Sequence, residues 1–142
     1  MIDVTLLVRK INLISQDFKE IAELSRKNLE AFLASRVDEV LAERYLERMI
    51  GRMIDINYHL ITESGFPPPA DYYQSFLQLE RLGILPHDLA PTIAAYAGLR
   101  NRIVHEYDEI DPARIHEALQ TAARDVPQYL THIYGYLERA PR

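Results

Sequence analysis

From Leu6 to Leu137 apolar residues return every three or four positions almost without a break, and no stretch reads as a strand. A chain patterned this way hides its apolar atoms by packing helices stripe against stripe. The pattern therefore predicts an all-α protein, an antiparallel up-and-down bundle of about five helices joined by short loops.

Local signals set the expected boundaries. The first helix is read from about Val4 into the low thirties, with Leu6, Leu7, Ile11, Ile14, Phe18, Ile21 and Leu29 on its buried stripe. Ser35, three residues ahead of Asp38, looks like a helix-opening cap. The second helix carries Val40, Leu41, Tyr45, Leu46, Met49, Met53, Ile56 and Leu60 inward and stops at Glu63-Ser64-Gly65. Phe66-Pro67-Pro68-Pro69 is a stiff extended connector. Asp71 caps a short helix from Tyr72 to about Leu82, closed by Gly83. The fourth begins near Pro91 and runs through Tyr107, because proline fits only a helix's first turn. Asp111-Pro112 opens the fifth, which extends to about Arg139 and carries Pro127 as an expected kink.

A chain of 142 residues is the size of one ordinary domain, and 1–142 is read as one. It contains no cysteine, which removes disulfides, thiolate nucleophiles and Cys-bound metals. No apolar run approaches the ~18 residues of a membrane span, and no leader pattern opens the chain, so a cytoplasmic protein is expected. The net charge of −5, with no basic block in any segment, argues against a broad nucleic-acid-binding face. Any contact with RNA must be a local cleft.

The chemistry concentrates in the fourth helix, in Arg100-Asn101-Arg102-Ile103-Val104-His105-Glu106-Tyr107. On a helical wheel with Ile93 at zero, Arg100 falls at about −20° and Tyr107 at about −40°, inside the apolar arc. Asn101 and His105 fall on its border at about +80° and +120°. A guanidinium in an apolar stripe needs a carboxylate, carbonyls, water or a ligand. A buried ion pair is the plain structural reading. The functional one is that Arg100 offers forked donors to a phosphate and His105 moves a proton near neutrality. Asn101 and Arg102 position the phosphate or the ring. These residue types suit metal-free RNA cleavage, in which a 2′-hydroxyl attacks the adjacent phosphate. Arg100 and His105 lie about 140° apart around the axis, so one helix does not aim both at one atom. A long arginine reaching round, or a second copy, must close that gap.

Arg100, His105 and Tyr107, with Asn101 after the arginine and the Asp111-Pro112 helix beyond, resemble the motif of HEPN-domain proteins of the HepT-like branch. The resemblance extends over essentially the whole chain. It implies a metal-independent toxin ribonuclease without a cofactor, acting as a homodimer whose clefts lie at the helix-bundle interface. It also implies a minimal nucleotidyltransferase antitoxin encoded next door, which transfers AMP to the motif tyrosine, here Tyr107. Glu106, Asp108 and Glu109 make this helix end acidic, which does not favour RNA. Two other readings stand beside it: a non-catalytic HEPN module that binds substrate for, or dimerises with, a nucleotidyltransferase, and a plain helical dimerisation domain.

Elsewhere the sequence offers little chemistry. His59, His87, His116 and His132 have no metal-ligand spacing, and phosphate-binding glycine loops are absent. Glu39, Glu43 and Glu47 interleave with Arg44, Arg48 and Arg52, which reads as a solvated, salt-bridged face. Tyr129, Tyr134 and Tyr136 are read as core.

Overall fold

The chain is helical throughout its regular structure in a computed structural model that describes residues 1–106 and 108–140. Among the described residues six helices appear: α1 Val4–Ser25, α2 Leu29–Leu33, α3 Arg36–Glu63, α4 Tyr72–Arg81, α5 Ala90–His105 and α6 Pro112–Arg139. Most starts are fixed by side-chain caps. Asp3, Asn28, Ser35, Asp71 and Asp111 each accept a backbone N–H of the helix they open, and each such cap is worth about 1 kcal/mol. α5 has no side-chain cap and opens on a proline instead. Gly65 and Gly83 end α3 and α4 in the left-handed region (φ 91° and 75°), where a side chain would clash.

Two expected boundaries move. α1 closes at Ser25, and the residues up to Leu33 form the separate short helix α2. Asn28 explains the break, because its side chain caps Ala31 N–H and restarts the helix. α5 ends at His105, with Glu106 already out of helical geometry (φ −129°, ψ 33°), so the helical wheel holds as far as His105. Tyr107 lies outside the described residues. Pro127 sits inside α6, which carries on as one helix to Arg139.

α3 is the spine, packing against each of the other five helices. α1 and α6 lie together against it, and α4 pairs with α5 on it. Leu7, Ile11, Ile14 and Ile21 of α1 meet Leu46, Met49, Met53 and Ile56 of α3 and Ile115, Leu119, Val126 and Ile133 of α6 in one continuous core. Leu6, Leu29, Val40 and Leu41, expected inside, are exposed. They point off the packed face, which Leu7, Phe32, Asp38 and Ala42 of the same turns occupy.

Two buried polar networks fix the helices around α5. Tyr129 of α6 is fully buried, its hydroxyl 2.6 Å from Asn57 Oδ1 and 3.1 Å from the Met53 carbonyl. Asn57 donates on to Ser75 Oγ (3.1 Å), and Ser75 donates to the Tyr72 carbonyl (2.7 Å). This chain ties α6 and α3 to the first turn of α4. On the other side of α5, Tyr96 bonds Thr121 Oγ1 (2.7 Å) and the buried Asp125 carboxylate (2.9 Å) of α6. Burial pushes the Tyr96 phenol far above its ordinary range, so it stays a donor.

Candidate active site

α5 carries the motif between these two anchors. Its inward residues Ile93, Ala94, Ala97 and Ile103 are buried, as their spacing requires. Arg100 is half-buried between them, so the expectation of an arginine in the apolar arc is met. Its anticipated carboxylate partner is missing: no ion pair involves Arg100 among the described residues. Its guanidinium instead lies 5.4 Å from the ring centre of Tyr72 on α4, within cation–π range. One terminal nitrogen reaches Asn101 Oδ1 at 3.5 Å, the outer limit of a hydrogen bond. Arg100 Nε is buried with no hydrogen-bond partner. A buried, unsatisfied charged donor is costly, and such groups mark places where a ligand or water completes the set.

The guanidinium opens into a cleft of about 540 Å³ between α3, α4 and α5. Its walls include Arg48, Gly51, Arg52 and Asp55 of α3, Tyr58 near the end of that helix, and Tyr72. Arg48 and Arg52 were read from sequence as part of a solvated charged face. Arg44 and Glu47 behave so, pairing at 3.4 Å, and Arg48 also stays partly exposed. Arg52 is turned inward by Asp17 of α1, a nearly buried carboxylate 2.7 Å away, and Arg48 approaches the same oxygen at 3.4 Å. Asp17 has an unusual place for a charge in the apolar stripe of α1, and that oddity is the signal by which sequence could have found the pair. Tyr58 and Tyr72 meet edge to face, ring centres 6.1 Å apart. Burial, then the neighbouring Tyr72 and Asp71, raise the Tyr58 phenol, which therefore stays protonated.

Asn101, Arg102 and His105 are all exposed. His105 is the last residue of α5 and is not among the residues that wall the Arg100 cleft. Arg102 lines a different groove, between α5 and α6, together with Arg114 and Arg124. Within this one chain, then, Arg100 faces α3 and α4, while His105 stands at the helix end toward solvent. The acids Glu106, Asp108 and Glu109 beside it are exposed too. Tyr129 is core as expected, but Tyr134 is exposed and Tyr136 only partly buried. His116 is structural, bonded to the Lys27 carbonyl at 2.7 Å and packed on Phe32. Among the described residues no three His, Asp or Glu side chains cluster closely enough to hold a metal ion, and no helix is long and apolar enough to cross a membrane.

Comparison with known proteins gives this arrangement a context. The profile of the ribonuclease HepT-like family matches residues 14–133. A tRNA nuclease HepT from Aphanizomenon flos-aquae (strain 2012/KM1/D3) is 31% identical over 136 residues, covering 96% of this chain and 92% of that protein. Among solved structures, a tri-AMPylated HEPN toxin from Shewanella oneidensis in complex with its MNT antitoxin superposes with a TM-score of 0.83 at 23% identity, over 95% of this chain and 99% of that one. A toxin–antitoxin structure with AMP-PNP gives the same TM-score at 21% identity, over 92% and 98% of the two chains. A cytosolic protein of unknown function from Bacillus subtilis shares the fold at 0.75 and 17% identity, over 99% and 96%.

Proposed function

Because this chain belongs to the ribonuclease HepT-like family, we propose that it is a toxin endoribonuclease that cuts tRNA without a metal ion, in the cytoplasm, as one half of a toxin–antitoxin pair. The substrate class follows the tRNA nuclease it resembles. One observation carries the assignment to Arg100: a half-buried guanidinium with no carboxylate partner among the described residues and an unpaired Nε, facing an open cleft. A structural arginine at such a position is held by an ion pair, as Arg52 is.

In the proposed reaction His105 accepts the proton of a ribose 2′-hydroxyl. The freed oxygen bonds to the adjacent phosphorus, the bond from phosphorus to the 5′-oxygen breaks, and a proton returns to that leaving oxygen. The products are a 2′,3′-cyclic phosphate and a 5′-hydroxyl. Arg100 neutralises the charge that grows on the phosphoryl oxygens, and Asn101 and Arg102 hold the flanking backbone. Because Arg100 and His105 diverge within one chain, a homodimer supplies the pair from two copies of α5. The partner is a nucleotidyltransferase antitoxin, a reading supported by the MNT antitoxin in the complex of the Shewanella oneidensis HEPN toxin. It silences the enzyme by placing AMP on Tyr107.

The test is cleavage of purified tRNA, with and without EDTA, by the wild type and by His105→Ala and Arg100→Ala. Expected are EDTA-resistant cleavage and cyclic-phosphate ends, with losses of about 10²–10⁴ in rate for His105→Ala. Abolition by EDTA, or full activity without His105, rejects the mechanism. The exposed acids next to His105 favour a non-catalytic partner of a nucleotidyltransferase instead, and tRNA left intact by the wild type selects that reading.

A further inference from the structure

The Arg100 cleft contains more than a phosphate site requires. Besides three arginines it presents two tyrosine rings and a glycine in the middle of a long helix. Gly51 costs α3 about 1 kcal/mol relative to alanine. No atom lies within 4 Å of where its Cβ would stand, so packing inside the chain does not demand it. What it does is leave part of the cleft floor, which α3 provides, without a side chain.

The charges of the cleft are arranged to stay positive. Its carboxylates are engaged by cations outside the walls: Asp55 by Lys10 of α1 at 3.1 Å, and Glu47 by Arg44 at 3.4 Å. Arg48 and Arg52 share the single carboxylate of Asp17, and each guanidinium has five N–H donors, more than one oxygen can use. Arg100 has none. A local surplus of arginine in a protein of net charge −5, walled by aromatic rings, is the combination that holds single-stranded nucleic acid.

We infer that Tyr72 and Tyr58 form a base-stacking subsite for single-stranded RNA, with Gly51 as its floor and the partly exposed Arg48 holding the phosphate next to the one Arg100 engages. Tyr72 is the platform. It is 38% exposed even with Arg100 beside it, and the bond from Ser75 to its carbonyl fixes its backbone at the head of α4. Tyr58 forms the side wall. Stacking of this kind selects unpaired nucleotides and is tolerant of sequence, because every base has a π face. It makes the enzyme prefer a looped or terminal strand over a helix. The inference rests on the ribonuclease reading of Arg100, and its test separates the two.

Binding is measured on a His105→Ala background, so that cleavage plays no part. The probe is a short single-stranded RNA carrying one 2-aminopurine, with a blunt RNA duplex as control. Stacking quenches the 2-aminopurine, and anisotropy gives the affinity. Expected are quenching on binding, at least tenfold weaker binding of the duplex, a roughly 5- to 100-fold loss with Tyr72→Ala, and near-full retention with Tyr72→Phe. Tyr58→Ala, which leaves Arg100 its Tyr72 contact, should also weaken binding. Gly51→Leu should fill the floor and weaken binding at least tenfold while thermal stability holds or rises. Binding within twofold of the parent for both Tyr72→Ala and Gly51→Leu overturns the subsite. So does equal loss with Tyr72→Phe, which would assign the effect to the hydroxyl. Failure of the wild type to cut tRNA refutes the ribonuclease reading and leaves these binding results to stand or fall alone.

Discussion

The guanidinium of Arg100 rests 5.4 Å from the ring centre of Tyr72, on a neighbouring helix, and makes no ion pair with any described residue. In the same cleft, Arg52 is held by the buried Asp17 at 2.7 Å. Two arginines of one pocket thus have opposite relations to the fold. One is spoken for by a carboxylate, and the other is kept available by an aromatic ring.

That difference predicts opposite mutational behaviour. Arg52→Ala leaves Asp17 buried with only the longer Arg48 contact, at a cost of about 2–3 kcal/mol. For a chain of this size that lowers Tm by roughly 5–10 °C. Arg100→Ala gives up a cation–π contact worth about 0.5–1 kcal/mol, so Tm should fall by no more than roughly 3 °C. Cleavage should drop by about 10²–10³. Thermal melts and tRNA cleavage on both variants check this. A collapse of stability in Arg100→Ala with activity retained in the folded fraction would return Arg100 to a structural role.

The reach of the sequence can be judged from particular residues. Helical period, the caps at Ser35, Asp71 and Asp111, and the inward position of Arg100 were all legible, because each depends on near neighbours along the chain. The break at residues 26–28 was not: Ile21 and Leu29, eight positions apart, keep a helical spacing across it, and periodicity is blind to a short interruption of this kind. The Tyr72–Arg100 contact was invisible for another reason. It exists only because α4 packs on α5, and nothing local in either segment encodes that pairing. The inward turn of Arg52 and the approach of Arg48 likewise depend on Asp17, more than thirty residues away in sequence.

The α4–α5 pair also carries a pH-dependent contact. His87, ahead of α5, lies 2.8 Å from Glu80 of α4. The hydrogen bond to Glu80 and its charge, aided by Asp88, raise the imidazole above its ordinary value. A raised folded-state value means that protonation favours the fold. The contribution is complete below about pH 6.5, the unfolded value, and is lost as pH rises through the folded one. His87 is highly exposed, so the effect is small. His87→Ala should lower Tm at pH 5.5 and leave it unchanged at pH 9. A fall of equal size at both pH values would show that packing, not charge, is what His87 contributes.

Tyr107 is the proposed point of control. Incubation with the proposed nucleotidyltransferase partner, ATP and Mg²⁺ should give an AMP adduct on Tyr107, mapped by mass spectrometry, with loss of tRNA cleavage. The adduct's phosphate would compete for the cationic groups that RNA needs. Tyr107→Phe should remain active and escape silencing. An adduct confined to the exposed Tyr134 with cleavage intact would reject the switch.

The divergence of Arg100 and His105 within one chain leads to the sharpest prediction. Arg100 lines the α3–α4–α5 cleft, and His105 closes α5 outside that wall. If each reacting centre takes its arginine from one copy and its histidine from the other, a dimer of Arg100→Ala with His105→Ala holds one centre lacking both groups and one centre fully intact. Random exchange makes half of the dimers mixed, each with one of two sites restored, so the mixture should recover about a quarter of wild-type activity. Each variant alone should remain inactive. Sedimentation of the separate and mixed proteins must show dimers of equal stability, to establish that exchange has occurred. If mixed dimers form and cleavage stays at the background of the single variants, both groups act within one chain, and Arg100 must reach round its own helix to meet His105. If the protein sediments as a monomer at tens of micromolar and still cuts tRNA, the shared site is excluded outright.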